Sequence, residues 1–371
     1  MAKAKRKLLP KDFDVMLKAG DLAALRAVFD VCDLEARGGY SKHTTLSFLD
    51  CPDDLGRWLV GQGADIEARD SYQRTALHAR AASRRGEIGL LLELGADIHA
   101  VDYQGDTPLH CAAQFANLDA VRRLIDQGAR TDALNVMKLT PLEAALQRCS
   151  NIDIPAMADI AALLLPADPQ PAKGLGALIK GVFRRTESRA SVTPRMRELV
   201  QRIGETFEFH RQGFNPDSVD ATSAALDRLY QLFGVTPVPR RIMHDGRTPI
   251  VARSKRWEDQ HQELWDTLVP SGGAASTVQG EVIRITGRVA NEIEGNGGGN
   301  WDADYRKMTR ALLTHLASGA SLPPEDLDRA AKLVAEVRTR DGAAADLCQL
   351  AVQWVALNPA PMPLDPPDYR R

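Results

Sequence analysis

Four threonine-led motifs recur along the first half of the chain and restrict what it can fold into. They are Thr44-Thr45-Leu46, Thr75-Ala76-Leu77-His78, Thr107-Pro108-Leu109-His110 and Thr140-Pro141-Leu142-Glu143, spaced by 31, 32 and 33 residues. A second landmark keeps step with them: Gly63-Ala64-Asp65, Gly95-Ala96-Asp97 and Gly128-Ala129-Arg130. In each interval a threonine able to cap exposed amides opens a short helix. Apolar residues follow at helical spacing, and a glycine stops a second helix. Pro108 and Pro141 suit a first helical turn, where the missing N–H has no partner to lose. A pair of short helices cannot bury its own apolar face, so this half reads as stacked copies.

The interval 102–133 is the fullest copy. It carries Thr107-Pro108-Leu109-His110-Cys111-Ala112, with Leu109, Ala112 and Ala113 set to face Val121, Leu124 and Ile125 across a helical pair. On these residues the chain resembles the ankyrin repeat, whose signature is Thr-Pro-Leu-His-x-Ala and whose period is about 33 residues. The resemblance spans residues 12–165, about five repeats with degenerate ends. Phe13, Leu17, Leu25 and Phe29 belong to an atypical first unit, and 160–165 form the second helix of the last. The units opening at Thr44 and Thr75 are two and one residues shorter than the one at Thr107, so their first helices or inner turns are expected to be trimmed. His78 and His110 are expected to serve the turns between repeats through their ring nitrogens. Ser47 and Glu143 stand in that place in the outer units.

The resemblance implies a protein partner, bound through the fingertip turns at 40–43, 71–74, 103–106 and 136–139 and the concave helix face. On this chain the fingertips offer Tyr72, Arg74, Tyr103 and Asp106, including types favoured at binding hot spots. Phe115 is the concave-face candidate, with packing on a neighbouring repeat as its alternative.

Composition shifts at a proline-rich stretch, and 166–192 reads as a linker holding a short basic helix at 173–185. Residues 193–357 show helical periodicity almost throughout and read as a second helical domain. In it, Ser276-Thr277-Val278-Gln279 has the spacing of a capping box. The prolines at 237, 239 and 249 break the pattern over 235–251, which reads as a small edge hairpin. Residues 1–11 read as a basic disordered tail and 358–371 as a proline-rich tail, extended or disordered. The fold class expected is all-α: an ankyrin-repeat solenoid, then a second all-helical domain with that small β-hairpin.

The 371 residues are 44% hydrophobic and 26% charged, with a net charge of −2. That balance gives no support for nucleic acid or a membrane as the main partner. Five scattered cysteines without a Cys-x-x-Cys pair suit free thiols in a cytoplasmic setting. No apolar run approaches the ~20 residues needed to span a bilayer. No phosphate loop, His-Glu-x-x-His or Gly-x-Ser-x-Gly is present, and no cofactor or metal is expected. Glu258-x-x-His261 has one-face spacing but no second copy, so His261 is read as packing with Trp257 and Trp265. The glycine-rich stretch 294–304 has three readings. It is a helix–helix turn with Asp302 as cap and Trp301 packed back, a partner-contacting loop using Asn296, Asn300 and Trp301, or a calcium site, although it lacks the EF-hand ligand pattern.

The function expected from these residues is a protein–protein interaction module, with an inhibitor or immunity-type role as its sharper form. The alternative is an enzyme whose helical half acts on substrates recruited by the array, using His244, Asp245, His261, Glu281, Asn300, Asp302 and Asp304. That alternative requires those side chains to converge in one cleft.

Overall fold

The computed structural model describes residues 4–165, 192–339 and 342–369. The proposed basic helix at 173–185 lies outside them. The chain forms two compact units, one of residues 1–206 with 216–238, the other of 207–215 with 239–371. Among the described residues, apart from one two-stranded sheet, the regular structure is helical.

The first unit opens with strand β1 (Arg6–Leu8), which pairs in parallel with β2 (Cys32–Arg37). Thus part of the stretch expected to fray is a strand, its backbone paired. Between the strands lie helices α1 (Phe13–Ala19) and α2 (Leu22–Val31), the latter capped by the Asp21 carboxylate on the Ala23 and Ala24 amides. The unit opening at Thr44 is trimmed as its length implies. Its first helix shrinks to a single 3-10 turn, Thr45–Ser47, before α3 (Asp53–Gly61). The later units are regular pairs: α4 (Ala76–Ala81) with α5 (Gly89–Glu93), α6 (Pro108–Gln114) with α7 (Leu118–Asp126), and α8 (Pro141–Arg148) with α9 (Ile154–Leu164).

The starts and stops of these helices are local chemistry. Thr75, Thr107 and Thr140 form reciprocal capping boxes with the residues three positions on, His78, His110 and Glu143. At the other end, the amides of Ala64, Ala96 and Ala129 donate to the carbonyls of Leu59, Leu91 and Leu124, at 2.9–3.0 Å. The intervening Gly63, Gly95 and Gly128 have φ of 95°, 86° and 86°. This is the Schellman stop, in which a left-handed residue closes the helix.

The repeat pattern goes one pair further than the sequence landmarks suggest. Thr193 precedes α10 (Pro194–His210), and its hydroxyl accepts from the Met196 amide at 3.1 Å and donates to Glu143 at 3.2 Å. The partner helix, α11 (Pro216–Phe233), joins α9 through Arg228–Asp159 at 2.9 Å. It ends on the same stop: Gly234 has φ 61°, and the Val235 amide donates to Tyr230. These two helices are about twice the length of those before them.

In the second unit, α13 (Val278–Ala290) is the central helix, its residues from Val278 to Thr286 all buried. Around it pack α12 (Trp257–Leu268), α14 (Ala303–Leu316) and α16 (Ala343–Leu357), with α15 (Pro324–Glu336) against α16. Thr277, one residue after the expected Ser276, caps α13 through the Gly280 amide. No strand forms over 235–251. That stretch is pinned individually instead: Arg241 donates to the carbonyls of Asp266 and Trp265 at the end of α12, and to those of Val269 and Phe209. Residues 358–369, expected to be extended or disordered, form no helix and are packed onto the unit. The Gln279 amide group donates to the carbonyls of Asn358 and Ala360, and Val278 N–H donates to Met362.

Candidate partner-binding surface

The fingertips are built by one repeated device. A side-chain oxygen at the start of each turn accepts two amides: Asp70 from Tyr72 and Arg74, Asp102 from Gln104 and Asp106, Asn135 from Met137 and Leu139, all at 2.8–3.0 Å. Such Asx turns replace a backbone turn with a side chain. Left-handed residues complete each tip, namely Lys42, Gln73, Gly105 and Lys138, with φ between 54° and 72°. Successive tips are then tied by single backbone bonds. Ser71 N–H donates to Ser41, Tyr103 to Tyr72 and Val136 to Gln104, at 3.0, 3.2 and 2.9 Å. The tips therefore form one continuous ladder.

The two histidines hold that ladder from beneath. His78 Nδ1 meets both the amide and the hydroxyl of Thr75, while its Nε2 lies 3.0 Å from the carbonyl of Asp106 in the next tip. His110 repeats the arrangement with Thr107 and Leu139. Burial drives the His78 ring down to about 4 and also lowers His110, so both are neutral and act as spacers between repeats.

Along the outside runs a strip of large side chains. Tyr40 is 94% exposed, Tyr103 58%, Val136 68% and Met137 59%. The Tyr72 and Tyr103 rings lie 5.8 Å apart, and the Arg74 guanidinium sits 5.0 Å over the Tyr72 ring. Arg74 is held there by two bonds to Asp70. The neighbouring Tyr40 phenol, then burial, raises the Tyr72 hydroxyl above its ordinary value.

The family comparison bears on this array. A family model that describes three ankyrin repeats matches the chain over residues 49–135 and again over 80–171. The array is an ankyrin-repeat domain. Delta-latroinsectotoxin-Lt1a of Latrodectus tredecimguttatus is 39% identical over 83 residues, 22% of this chain and 7% of its own length. Protein phosphatase 1 regulatory subunit 12A of Mus musculus is 39% identical over 94 residues, 25% and 9% of the two chains. Ankyrin repeat and SOCS box protein 16 of Homo sapiens is 34% identical over 97 residues, 26% and 21%. The chain thus spans about a fifth or less of the length of these relatives.

The other sequence candidates fall elsewhere. Asp106 is 5% exposed, and its carboxylate accepts from Gln114 and Asn135, so it braces the tips from inside. Phe115 caps the C-terminal end of α6, the end away from the tip, and is 36% exposed. The Arg148 guanidinium of the next repeat covers its ring at 4.3 Å. In the second unit, Asn296 and Asn300 both donate to the buried Glu292 carboxylate, which also takes the Asn300 amide at 2.6 Å. Trp301 stacks on Tyr305 with centroids 5.1 Å apart. Asp302 caps α14 on the amides of Asp304 and Tyr305.

The residues named for catalysis fall into separate networks. The Asp245 carboxylate takes the amides of Thr248 and Arg247, which pull it down to about 2, and His244 bonds Thr248. His261 bonds Thr286 at 3.0 Å, and burial lowers its ring to about 4. Glu281 makes a two-bond ion pair with Arg284, both fully buried, and accepts from the Ala275 amide and the Tyr369 hydroxyl. Burial pushes the Glu281 carboxyl up, but these donors outweigh it and leave it low. The cleft required by the enzyme alternative is not assembled from these side chains. Among the described residues no three of His, Cys, Asp and Glu are placed to share a metal ion, and no helix is long and apolar enough to cross a membrane. The involvement of Glu292 and Tyr369 was missed by sequence reasoning. Glu292 shows no more in sequence than a surface ion-pair partner, and Tyr369 lies 88 residues from Glu281.

Proposed function

We propose that this chain binds a partner protein through the fingertip strip of its ankyrin domain, with Tyr40, Tyr72, Tyr103, Val136 and Met137 as the contact residues and Arg74 as a charged anchor. The carrying observation is that exposed aromatic and apolar side chains lie on a ladder whose backbone is already fixed. A contiguous exposed apolar strip of this kind marks an interaction site, and a prefixed backbone lowers the ordering cost of association. Ankyrin repeats support the same reading, and one relative is named as a regulatory subunit of another protein. An inhibitory or immunity-type role is this binding used to block the partner's activity.

Photo-crosslinking tests the surface. A crosslinking residue at position 103 or 136 should capture the partner, whereas one at Ile152, 69% exposed in the loop between α8 and α9, should not. The double substitution Tyr72→Ala with Tyr103→Ala should weaken the captured complex by about 2 kcal/mol, roughly thirtyfold. Equal capture at 152, or undiminished affinity of the folded double variant, would remove the fingertips from the reading.

A further inference from the structure

A second surface of quite different chemistry lies on the second unit. Residues 239–256 hold six basic side chains and one acidic one, in a chain whose net charge is −2. From Pro249 to Lys255 the chain forms neither helix nor ladder and its residues alternate in exposure, the period two of a strand-like course. The inward set is anchored. Ile250 is 3% exposed and its amide donates to Pro359, Ala252 packs on the core, and the Ser254 hydroxyl donates to Glu263. Glu263 also accepts the amides of Arg253 and Ser254 at 2.9 and 3.1 Å. The outward set is Pro249, Val251, Arg253 and Lys255, all exposed, with Val251 at 63%. Arg247 stands at one end of this row on the Asp245 turn, and Arg256 at the other.

We propose that the outward row Arg247, Val251, Arg253 and Lys255 is a docking surface for an extended, carboxylate-rich segment of a partner protein. Arg253 and Lys255, two positions apart on a fixed backbone, match carboxylates at alternate positions of a facing strand, with Arg247 a further cation at the end of the row, and arginine can bind a carboxylate through two parallel bonds. Val251 adds apolar contact between the charges. A broad anionic surface, wider than a single extended segment, fits less well. Asp259 is exposed just beyond Arg256 and its partner Glu258, and a lipid headgroup layer or a phosphate backbone would press its charge against that carboxylate. Nor does the outward row hold an aromatic side chain on which bases could stack. The fingertip reading is independent of this surface.

The test uses the full chain and a fluorescein-labelled octaglutamate peptide read by fluorescence anisotropy. The peptide should bind at about 50 mM salt and weaken at least about tenfold by about 300 mM, as exposed charges are screened. Reversing Arg247→Glu, Arg253→Glu and Lys255→Glu together should cost at least about tenfold. Reversing three exposed cations elsewhere, Lys18→Glu, Arg122→Glu and Lys332→Glu, should cost under about twofold. Absent binding of the wild-type chain at low salt, equal losses in the two triple variants, or an unaffected Arg247/Arg253/Lys255 variant of unchanged circular dichroism would each overturn the proposal. So would tighter binding of phosphatidylserine vesicles or single-stranded DNA than of the peptide, abolished by the same reversal.

Discussion

The guanidinium of Arg80 occupies the space left by the helix that the second repeat lacks. Its Nε donates to Leu46, Nη2 to Cys51 and Nη1 to Glu87, and the side chain is 1% exposed. A 3-10 turn in place of a helix leaves the Leu46 and Cys51 carbonyls to this side chain, and a buried carbonyl without a donor costs about 1–3 kcal/mol. Arg80→Met should therefore lower stability by about 2–4 kcal/mol despite its similar reach, read as a lower urea midpoint at unchanged slope. A Met variant as stable as the wild type would show the bonds to be dispensable. His78 gives a pH signature of its own. Its ring is neutral in the fold down to about 4 but titrates near 6.5 when unfolded, so the unfolded chain takes up the extra proton. The stability it contributes is full above pH 6.5 and declines as the pH falls toward 4, by roughly 3 kcal/mol at most. Urea midpoints at pH 7 and pH 5 should draw closer together in His78→Gln, whose amide keeps the box geometry; an unchanged gap would assign the pH dependence to other groups.

At the level of elements, what could be read in the sequence was whatever is encoded within a few residues. The Thr107-to-His110 box and the Gly128 stop each close on themselves over three to five positions, so motif and structure coincide. The trimmed second repeat was legible too, because two missing residues remove half a helical turn. The pair α10–α11 escaped because its cap and stop sit on helices of 17 and 18 residues, which break the repeat period. The turn at 295–300 escaped for another reason. Glycines and asparagines announce a turn, yet nothing local says that one buried carboxylate, Glu292, gathers Asn296 and Asn300 around itself. Likewise the edge hairpin expected over 235–251 rested on prolines and a tight turn. Those prolines remove the very amides a ladder needs, and Arg241 does the pinning instead.

Over the whole molecule, two kinds of specification operate side by side. In the ankyrin domain nearly every tie links neighbouring repeats about thirty positions apart, as a solenoid allows. The second unit depends on ties across more than 80 residues, of which the last is Tyr369. Its hydroxyl reaches Glu281 at 2.7 Å, and its ring lies 5.8 Å from the Arg284 guanidinium. A buried ion pair is costly unless its remaining lone pairs are met, and this hydroxyl meets one of them at the start of α13. Tyr369→Phe keeps the ring and removes that donor, which should cost about 1–3 kcal/mol. Tyr369→Ala should cost more, because it also removes the ring from the guanidinium. Hydrogen exchange is the suitable measurement, since it resolves local opening from global unfolding. Exchange should rise first at the Ala275 amide, which Glu281 accepts, and along the first turns of α13. If both variants leave those amides as protected as in the wild type, the C-terminal segment covers the ion pair without stabilising it.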